Sequence, residues 1–247
     1  MTAKVTCLYD EGALQSTSLI GAKGFSMIID VDGIRLMFDT GMKGRYLLNN
    51  MISLDIDPDS IDQVIISRGH KEHTGGMNGL LKERSSSVKV LYPRSAEGVK
   101  GMFKTTGVYV DIENEGKAIL DPIDDWKGIS EHLFMSKPMD GGESFLVLIT
   151  KDGPVVMASY SGCGVKFIMD SVKERFGRYP VAYMGGVLIG KSKSVAASVA
   201  AEFLEKGCSS LYLNHCTGVQ GMMYLRVELG IGNVNDFYVG TEKTFDL

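Results

Sequence analysis

The densest run of side chains that can bind a ligand lies at residues 67–76, which read SRGHKEHTGG and contain two of the four histidines of the chain. The run directly follows QVIIS, a short apolar stretch that predicts a buried strand over residues 63–67. Near a strand end, residues two apart project to the same side, so Arg68 and His70 should converge, and the following turn can bring Glu72 and His73 to the same pocket. Such a loop can surround a cation.

The elements that must position this loop begin with strands. The first forty residues contain KVTCLYD, FSMIIDVDG and IRLMFDTG, and Asp32-Gly33 between two apolar runs predicts a hairpin. Helical apolar spacing follows over residues 44–53, and Pro58 begins a short helical turn. The middle of the chain predicts a helix at 76–82, a strand at 88–92, a helix around 95–103, and several strands ending near residue 149.

The second half alternates regularly between strands and helices. The predicted strands read PVVMAS, VAYMGG and SLYLN, and the predicted helices cover residues 165–176, 194–206 and 218–229. Two such halves, each a mixed sheet with helices on its outer side, predict an α/β (α+β) fold, a four-layer αβ/βα sandwich. No linker or repeat divides the chain, so we predict a single domain over residues 1–247.

Composition narrows the class of protein further. The chain has 247 residues, 44% of them hydrophobic, with 26 basic and 30 acidic side chains and a net charge of −4. No basic run is dense enough to neutralise a row of phosphates, so we expect no nucleic acid partner. No stretch approaches the roughly 18 consecutive apolar residues that a membrane span needs, so we expect no membrane partner. We expect a cytoplasmic protein with four free thiols; the sequence does not indicate an oligomeric state.

Several motifs, taken together, resemble a known family. LYDE near the start, the FDTG that ends the third strand, GHKEHTGG, a GG pair after a strand, HCTG, and the ending VGTEKTFDL resemble the metallo-β-lactamase superfamily, in particular a branch that contains a pterin-linked synthase. The resemblance spans nearly the whole chain. It implies the metallo-β-lactamase fold, with a metal held by an HxHxDH motif and by distant histidines.

The resemblance also implies a set of site residues. It places His70, His73, Glu72 and His215 as metal ligands and Asp39 as a carboxylate that orients a ligand histidine. Glu72 stands where the family has aspartate and keeps a carboxylate that can bind a metal or accept a proton. Three or four such ligands suit one divalent ion, Zn²⁺, Fe²⁺ or Mn²⁺. Asp39 has an alternative role, since an Asp before Thr-Gly often caps a turn.

Departures from the family pattern are equally informative. Arg68 stands where the family has its first histidine, and a guanidinium has five donors but no lone pair for a metal. Aligned on the Gly-Cys pair, Val165 replaces a second histidine, and Leu188 replaces a third after the paired glycines. We therefore expect one metal at most, and no metal at the first site is equally compatible with the sequence.

These residues are compatible with two different functions. One is a metal-dependent hydrolase or transferase-like enzyme for a small anionic substrate, phosphorylated or pterin-linked, with Glu72 and Arg68 as catalytic residues. The other is a non-catalytic ligand-binding protein on the same fold. In both, Arg68 and Lys23 would bind the anion, and Gly185 and Gly186 would line its pocket. His132 lies outside every motif, and we expect it on an ordinary surface or strand edge.

Overall fold

The structure is a computed structural model that describes residues 1–100 and 105–247. The strands in chain order are β1 (Thr2–Tyr9), β2 (Ser26–Val31), β3 (Ile34–Phe38), β4 (Gln63–Ile65), β5 (Val88–Pro93), β6 (Val99–Lys100), β7 (Thr105–Thr106), β8 (Ala118–Ile123), β9 (Lys127–Gly128), β10 (Leu133–Met135), β11 (Leu146–Ile149), β12 (Pro154–Ala158), β13 (Ala182–Gly185), β14 (Ser210–Leu213), β15 (Val234–Asp236) and β16 (Glu242–Asp246). The helices are α1 (Gly44–Ser53), α2 (Lys71–Thr74), α3 (Met77–Glu83), α4 (Val165–Phe176), α5 (Lys193–Glu205) and α6 (Val219–Leu229).

The strands form two seven-stranded mixed sheets and a small ribbon of β6 and β7. The first sheet has the order β16-β1-β2-β3-β4-β5-β8, and the second has the order β15-β14-β13-β12-β11-β10-β9. Pairing is parallel from β3 to β8 in the first sheet and from β12 to β15 in the second. Each sheet therefore has an edge at which the carboxyl ends of neighbouring strands, and the loops that follow them, lie side by side.

Three apolar clusters hold four layers together. One cluster fills the space between the sheets, and Met27 and Ile29 of β2 point into it. Ile28, between them, points to the outer face, where α1 and α3 cover the first sheet. The helices α4, α5 and α6 cover the outer face of the second sheet. Burial on both faces explains the continuous apolar strands, and the layers confirm the predicted αβ/βα sandwich.

Local chemistry accounts for the elements that the sequence predicts well. The helix predicted over residues 44–53 and the helix predicted over 165–176 have the observed bounds of α1 and α4. The predicted hairpin joins β2 to β3, and Asp32 and Gly33 both adopt positive φ, 51° and 78°, as a two-residue turn requires. Ser192 accepts a hydrogen bond from the backbone N–H of Val195 and so caps the start of α5.

The helix predicted around residues 95–103 is wrong where the structure describes it. A 3-10 turn over Arg94–Ala96 leads instead into β6, and residues 101–104 lie outside the described residues. Glycines at positions 98 and 101 weaken a helix there. The backbone N–H of Val108 donates to the carbonyl of Ala96 (2.8 Å), which holds this segment against the loop after β7.

All four cysteines are free thiols, as predicted. None of the helices in the described part of the chain has the length and apolar character of a membrane-spanning segment.

Candidate functional site at the strand ends

Loops from both sheets meet at one edge of the sandwich. The loop after β4 carries residues 66–70, and the loops after β12, β13 and β14 begin at Ser159, Gly186 and Asn214. Direct hydrogen bonds join the two halves, since Ser159 reaches Asp39 at the end of β3 and the His215 imidazole reaches Asp10 at the end of β1. The predicted site residues are thus drawn from both sheets and gathered at this edge.

Asp39 is the buried centre of this junction. Its side chain is fully buried, and one carboxylate oxygen accepts the backbone N–H of Ser67 at 2.7 Å. The other oxygen accepts the hydroxyls of Ser67 and Ser159 and lies 2.7 Å from Nδ1 of His73. Asp39 has φ of 59°, a conformation that Asp tolerates better than most residues. The carboxylate fixes the orientation of the His73 ring and leaves Nε2 for another partner.

His215 has a similar carboxylate partner. Its Nδ1 lies 2.6 Å from Oδ1 of Asp10, which also accepts the backbone N–H of His215 at 3.1 Å. Its Nε2 lies 3.5 Å from Sγ of Cys216. Burial acts to lower the pKa of His215, but the hydrogen bonds with Asp10 and Cys216 outweigh it and raise the pKa to about 10. Asp10 directly follows β1 in the motif LYDE, and its pairing with His215 is not apparent from the sequence.

The carboxylate of Glu72 is paired with an amine. Nζ of Lys23 lies 2.7 Å from Oε1 of Glu72, whose side chain is mostly buried. Burial acts to raise the pKa of Glu72, and the hydrogen bond and charge of Lys23 more than offset it, so the pKa lies below its usual value. The same ion pair raises the pKa of Lys23. Lys23 therefore neutralises the carboxylate that the resemblance assigns to a metal.

His70 lies at the rim of the site. Its Nδ1 accepts the backbone N–H of Glu72 at 3.5 Å, which caps the short helix α2, and lies 3.9 Å from the Glu72 carboxylate. More than half of its side chain is exposed. Partial burial, together with the positive charges of Arg68 and Lys23, lowers the pKa of His70, and the Glu72 charge only partly opposes this.

Arg68 is stacked on an aromatic ring. Its guanidinium carbon lies 4.2 Å from the ring centroid of Tyr160, which follows β12. Stacking on an aromatic face leaves the N–H donors in the guanidinium plane free for hydrogen bonds. Within residues 1–100 and 105–247, no carboxylate forms an ion pair with Arg68. The site therefore contains a fixed, half-buried cation without a counter-charge.

The paired glycines Gly185 and Gly186 allow close approach of two strand ends. A Cβ on Gly185 would lie 1.9 Å from the carbonyl oxygen of Ala158, and Gly185 has φ of +117°. A Cβ on Gly186 would lie 2.6 Å from the carbonyl oxygen of Ser159 and 2.9 Å from Cβ of Cys216. The close packing of the strand ends therefore requires glycine at both positions. The contact of Gly185 and Gly186 with a ligand stays a prediction.

Val165 and Leu188, the two other positions at which the resemblance leads one to expect histidines, are apolar. Val165 is buried at the start of α4, and Leu188 is partly exposed. Nearby, the buried carboxylate of Glu143 accepts the backbone N–H of Cys163 at 3.0 Å. Burial and the Glu143 charge raise the pKa of Cys163 to about 12, so this thiol is held neutral. Glu143 lies in no recognisable motif, and no spacing in the sequence links it to Cys163.

The donor set does not fit a divalent metal as it stands. His73 and His215 have the carboxylate-bound Nδ1 that is typical of metal-ligating histidines, but a catalytic metal takes three protein ligands. Glu72 is neutralised by Lys23, and His70 is turned toward the α2 backbone. Among the described residues, no three His, Cys, Asp or Glu side chains form a group that could hold a metal ion.

Comparison with solved structures identifies the fold. The chain matches a metal-dependent hydrolase of the β-lactamase superfamily with a TM-score of 0.79 and 24% identity over 98% of each chain. It matches the metallo-β-lactamase fold protein YhfI from Bacillus subtilis with a TM-score of 0.67, at 15% identity over 98% of this chain and 99% of that one. A diphosphatase from the PhnP family matches with a TM-score of 0.68 and 13% identity, over 99% of this chain and 98% of that one. The chain has the metallo-β-lactamase fold.

In sequence, the chain resembles a particular enzyme with a curated description. It is 27% identical over 257 aligned positions, covering 87% of each chain, to the 7,8-dihydropterin-6-methyl-4-(β-D-ribofuranosyl)-aminobenzene-5'-phosphate synthase of Methanocaldococcus jannaschii. No family model matches the chain. The resemblance predicted from the sequence motifs is confirmed.

Proposed function

We propose that this chain binds a small anionic molecule that carries a phosphate group, and that Arg68 and Lys23 supply the positive charge for which the fold ordinarily employs a metal. One observation carries the proposal: the half-buried Arg68 guanidinium, stacked on Tyr160, has no carboxylate partner among the described residues. A fixed guanidinium matches the geometry of phosphate oxygens and can donate two parallel hydrogen bonds to them.

The charges around Arg68 support this proposal. Nζ of Lys23 lies 2.7 Å from Glu72, so this pair is close to neutral, and Arg68 adds a positive charge that no ion pair among the described residues offsets. The lysine side chain is 61% exposed, and its ammonium has two further protons that can be donated to a ligand. Phosphate is the favoured class of anion because the synthase that resembles this chain is named for a 5'-phosphate.

A calorimetric titration with inorganic phosphate tests the proposal. Hydrogen bonds to charged groups contribute about 1.5–3 kcal/mol each, so Arg68→Ala should weaken phosphate binding by roughly 10- to 100-fold. Arg175→Ala is the matched control, because Arg175 also lies over an aromatic ring, that of Phe176, at the far end of α4. Equal phosphate affinity in Arg68→Ala and the wild type would refute the proposal.

A metal-dependent enzyme is the second candidate function. The buried His73–Asp39 pair (2.7 Å) and the His215–Asp10 pair (2.6 Å) favour it, because each carboxylate engages Nδ1, as it does in metal-ligating histidines. Nε2 of His215 lies 3.5 Å from Sγ of Cys216, which a metal would have to displace. A hydrolase or transferase-like enzyme for a phosphorylated or pterin-linked substrate would then use Glu72 and Arg68 as catalytic residues. Elemental analysis after purification without chelator, repeated on His215→Ala, separates the candidates. We expect no stoichiometric metal in either protein; a metal that is present in the wild type and lost in His215→Ala would favour the enzyme.

A further inference from the structure

The outward face of α6 carries a stripe of apolar side chains. Val219, Met223 and Val227 recur four residues apart, and Ile231 in the turn after the helix continues the line at the same interval. Their exposed fractions are 81%, 59%, 78% and 79%. At a rise of about 1.5 Å per residue, the helical part of the stripe is roughly 12 Å long. Single exposed apolar side chains are ordinary, whereas a row of them along one helix face is typical of an interaction surface.

The opposite face of α6 is already packed. Gly221, Met222 and Leu225 are buried, and the last two belong to the apolar cluster between the second sheet and its helices. The helix is therefore apolar on both faces, a composition that normally belongs to a helix buried all round. The described residues bury only one of these faces, so the outer face has the character of an interior surface.

Opposite charges lie at the two ends of the stripe. Lys191 follows Gly190, whose Cα lies 3.4 Å from the position of a Cβ on Gly218, the residue before α6. Lys191 is exposed, and so is Glu228 in the last turn of the helix. Across the part of the chain that the structure describes, neither of these side chains forms an ion pair. The surface is thus basic where α6 begins and acidic where it ends.

A second copy of the chain matches this surface when its α6 runs antiparallel. Met223 lies midway between Val219 and Val227, so a two-fold axis beside it places Met223 against Met223 and Val219 against Val227 of the second copy. The same rotation brings Lys191 of each copy to the end of α6 at which the other copy has Glu228. The helix dipole also favours a cation near the C-terminus of a helix. A parallel arrangement would instead bring like charges together.

A membrane surface fits α6 less well. Helices that lie on membranes carry several Lys or Arg residues on their polar face. The one basic residue of α6 is Arg226, and its guanidinium lies 2.8 Å from the carboxylate of Asp236. The chain also has a net charge of −4, which anionic lipid headgroups repel. These charges favour a second copy of the chain as the occupant.

We infer that this chain forms a symmetric dimer through the outer face of α6, with the two helices antiparallel. Val219 and Met223 also line a cavity of about 390 Å³, and Asp10 and His215 of the candidate site lie in the lining of the same cavity. The second copy therefore covers this cavity and closes one approach to His215. The inference is independent of the proposed phosphate binding, because it does not involve the cationic side chains of that site.

Analytical ultracentrifugation of the full chain between about 1 and 300 µM, a range that brackets a micromolar dissociation constant, tests the inference. One helix pair buries less than the roughly 1,600 Å² of a standard interface, so we expect a micromolar dimer. Met223→Asp places two like charges at the centre of the symmetric contact and should weaken dimerisation by at least about 100-fold.

Ile52→Asp is the matched control for Met223→Asp. Ile52 is also an apolar helical residue, 75% exposed, but it lies on α1 at the outer face of the first sheet. The dissociation constant of the Ile52→Asp dimer should lie within about twofold of that of the wild type. If Met223→Asp fails to fold, Glu228→Lys, which changes an exposed side chain, gives a second comparison: it should weaken the dimer roughly three- to tenfold, and adding Lys191→Glu should restore it.

Cysteine variants test the orientation of the two helices. Under air oxidation, Met223→Cys should form a disulfide-linked dimer with itself, because this position faces its own copy across the two-fold axis. Val219→Cys should form a linked dimer only when it is mixed with Val227→Cys. The wild type, with its four free thiols, is the control for linkage through the native cysteines.

Two results would overturn the inference. One is a wild type that stays monomeric at about 300 µM, and the other is a Met223→Asp variant that dimerises as tightly as Ile52→Asp. A Val219→Cys variant that links to itself as readily as to Val227→Cys would overturn the antiparallel arrangement. None of these results affects the proposed phosphate binding, which the Arg68→Ala titration tests separately.

Discussion

Replacing Asp39 by asparagine isolates the charge at the centre of the junction between the sheets. The carboxylate accepts the backbone N–H of Ser67 on one oxygen and three side-chain groups on the other. An asparagine amide has the same shape but one oxygen, so whichever way it turns, its NH₂ group faces a donor. Asparagine also tolerates the positive φ of 59° at this position, so the backbone should not be strained.

The loss of stability in Asp39→Asn should be large for a substitution that keeps the shape of the side chain. Hydrogen bonds to a charged group contribute about 1.5–3 kcal/mol, and a buried donor left without an acceptor costs about 1–3 kcal/mol. We therefore expect Asp39→Asn to lower the free energy of unfolding by about 2–4 kcal/mol. At roughly 2–4 °C per kcal/mol for a chain of this size, the melting temperature should fall by about 5–15 °C.

Denaturant unfolding followed by circular dichroism measures this change, with Asp55→Asn as the matched control. Asp55 also has positive φ, 53°, but its side chain is exposed. The free energy of unfolding of Asp55→Asn should lie within about 0.5 kcal/mol of that of the wild type. If Asp39→Asn unfolds at the same denaturant concentration as Asp55→Asn, the Asp39 carboxylate does not stabilise the junction and the reasoning is refuted.

Three further contacts can be tested by substitution. Burial acts to raise the pKa of Asp32, but hydrogen bonds from Ser130 and His132 outweigh it and hold the pKa below its usual value. Its contribution to stability is therefore present above the unfolded-state pKa and lost as pH falls through the lower folded-state pKa. The gap in unfolding free energy between the wild type and Asp32→Asn should shrink between neutral pH and about pH 3; a gap that does not change with pH would contradict this. Gly185→Ala should lower the melting temperature far more than Gly177→Ala, because only the Gly185 methyl would meet backbone, at 1.9 Å; equal melting temperatures would show that the strand ends can separate. Phosphate affinity measured from about 50 to 300 mM salt should fall with ionic strength in the wild type and less steeply in Lys23→Ala; parallel slopes would exclude a contact of phosphate with Lys23.

The interior of the fold was predictable from local patterns. The helical spacing over residues 44–53 and 165–176 and the Asp32-Gly33 turn reflect periods of a few residues, which the sequence displays directly. The helix expected around residues 95–103 was wrong because the packing of this segment against the loop near Gly107 outweighed a weak local preference. His132, expected on an ordinary surface or strand edge, directly precedes β10. Its imidazole lies 2.8 Å from the Asp32 carboxylate, a partner 100 residues earlier in the chain that no local pattern indicates.

The sequence by itself determined the layers of the sandwich and the loop that carries His70, Glu72 and His73, because residue types and short periods are written in the chain. Only the tertiary structure decided how these groups are paired. It placed Lys23 on Glu72 and Asp10 on His215, contacts between residues 49 and 205 positions apart. Such pairings depend on how two sheets bring their strand ends together, and no period of a few residues in the sequence encodes that arrangement.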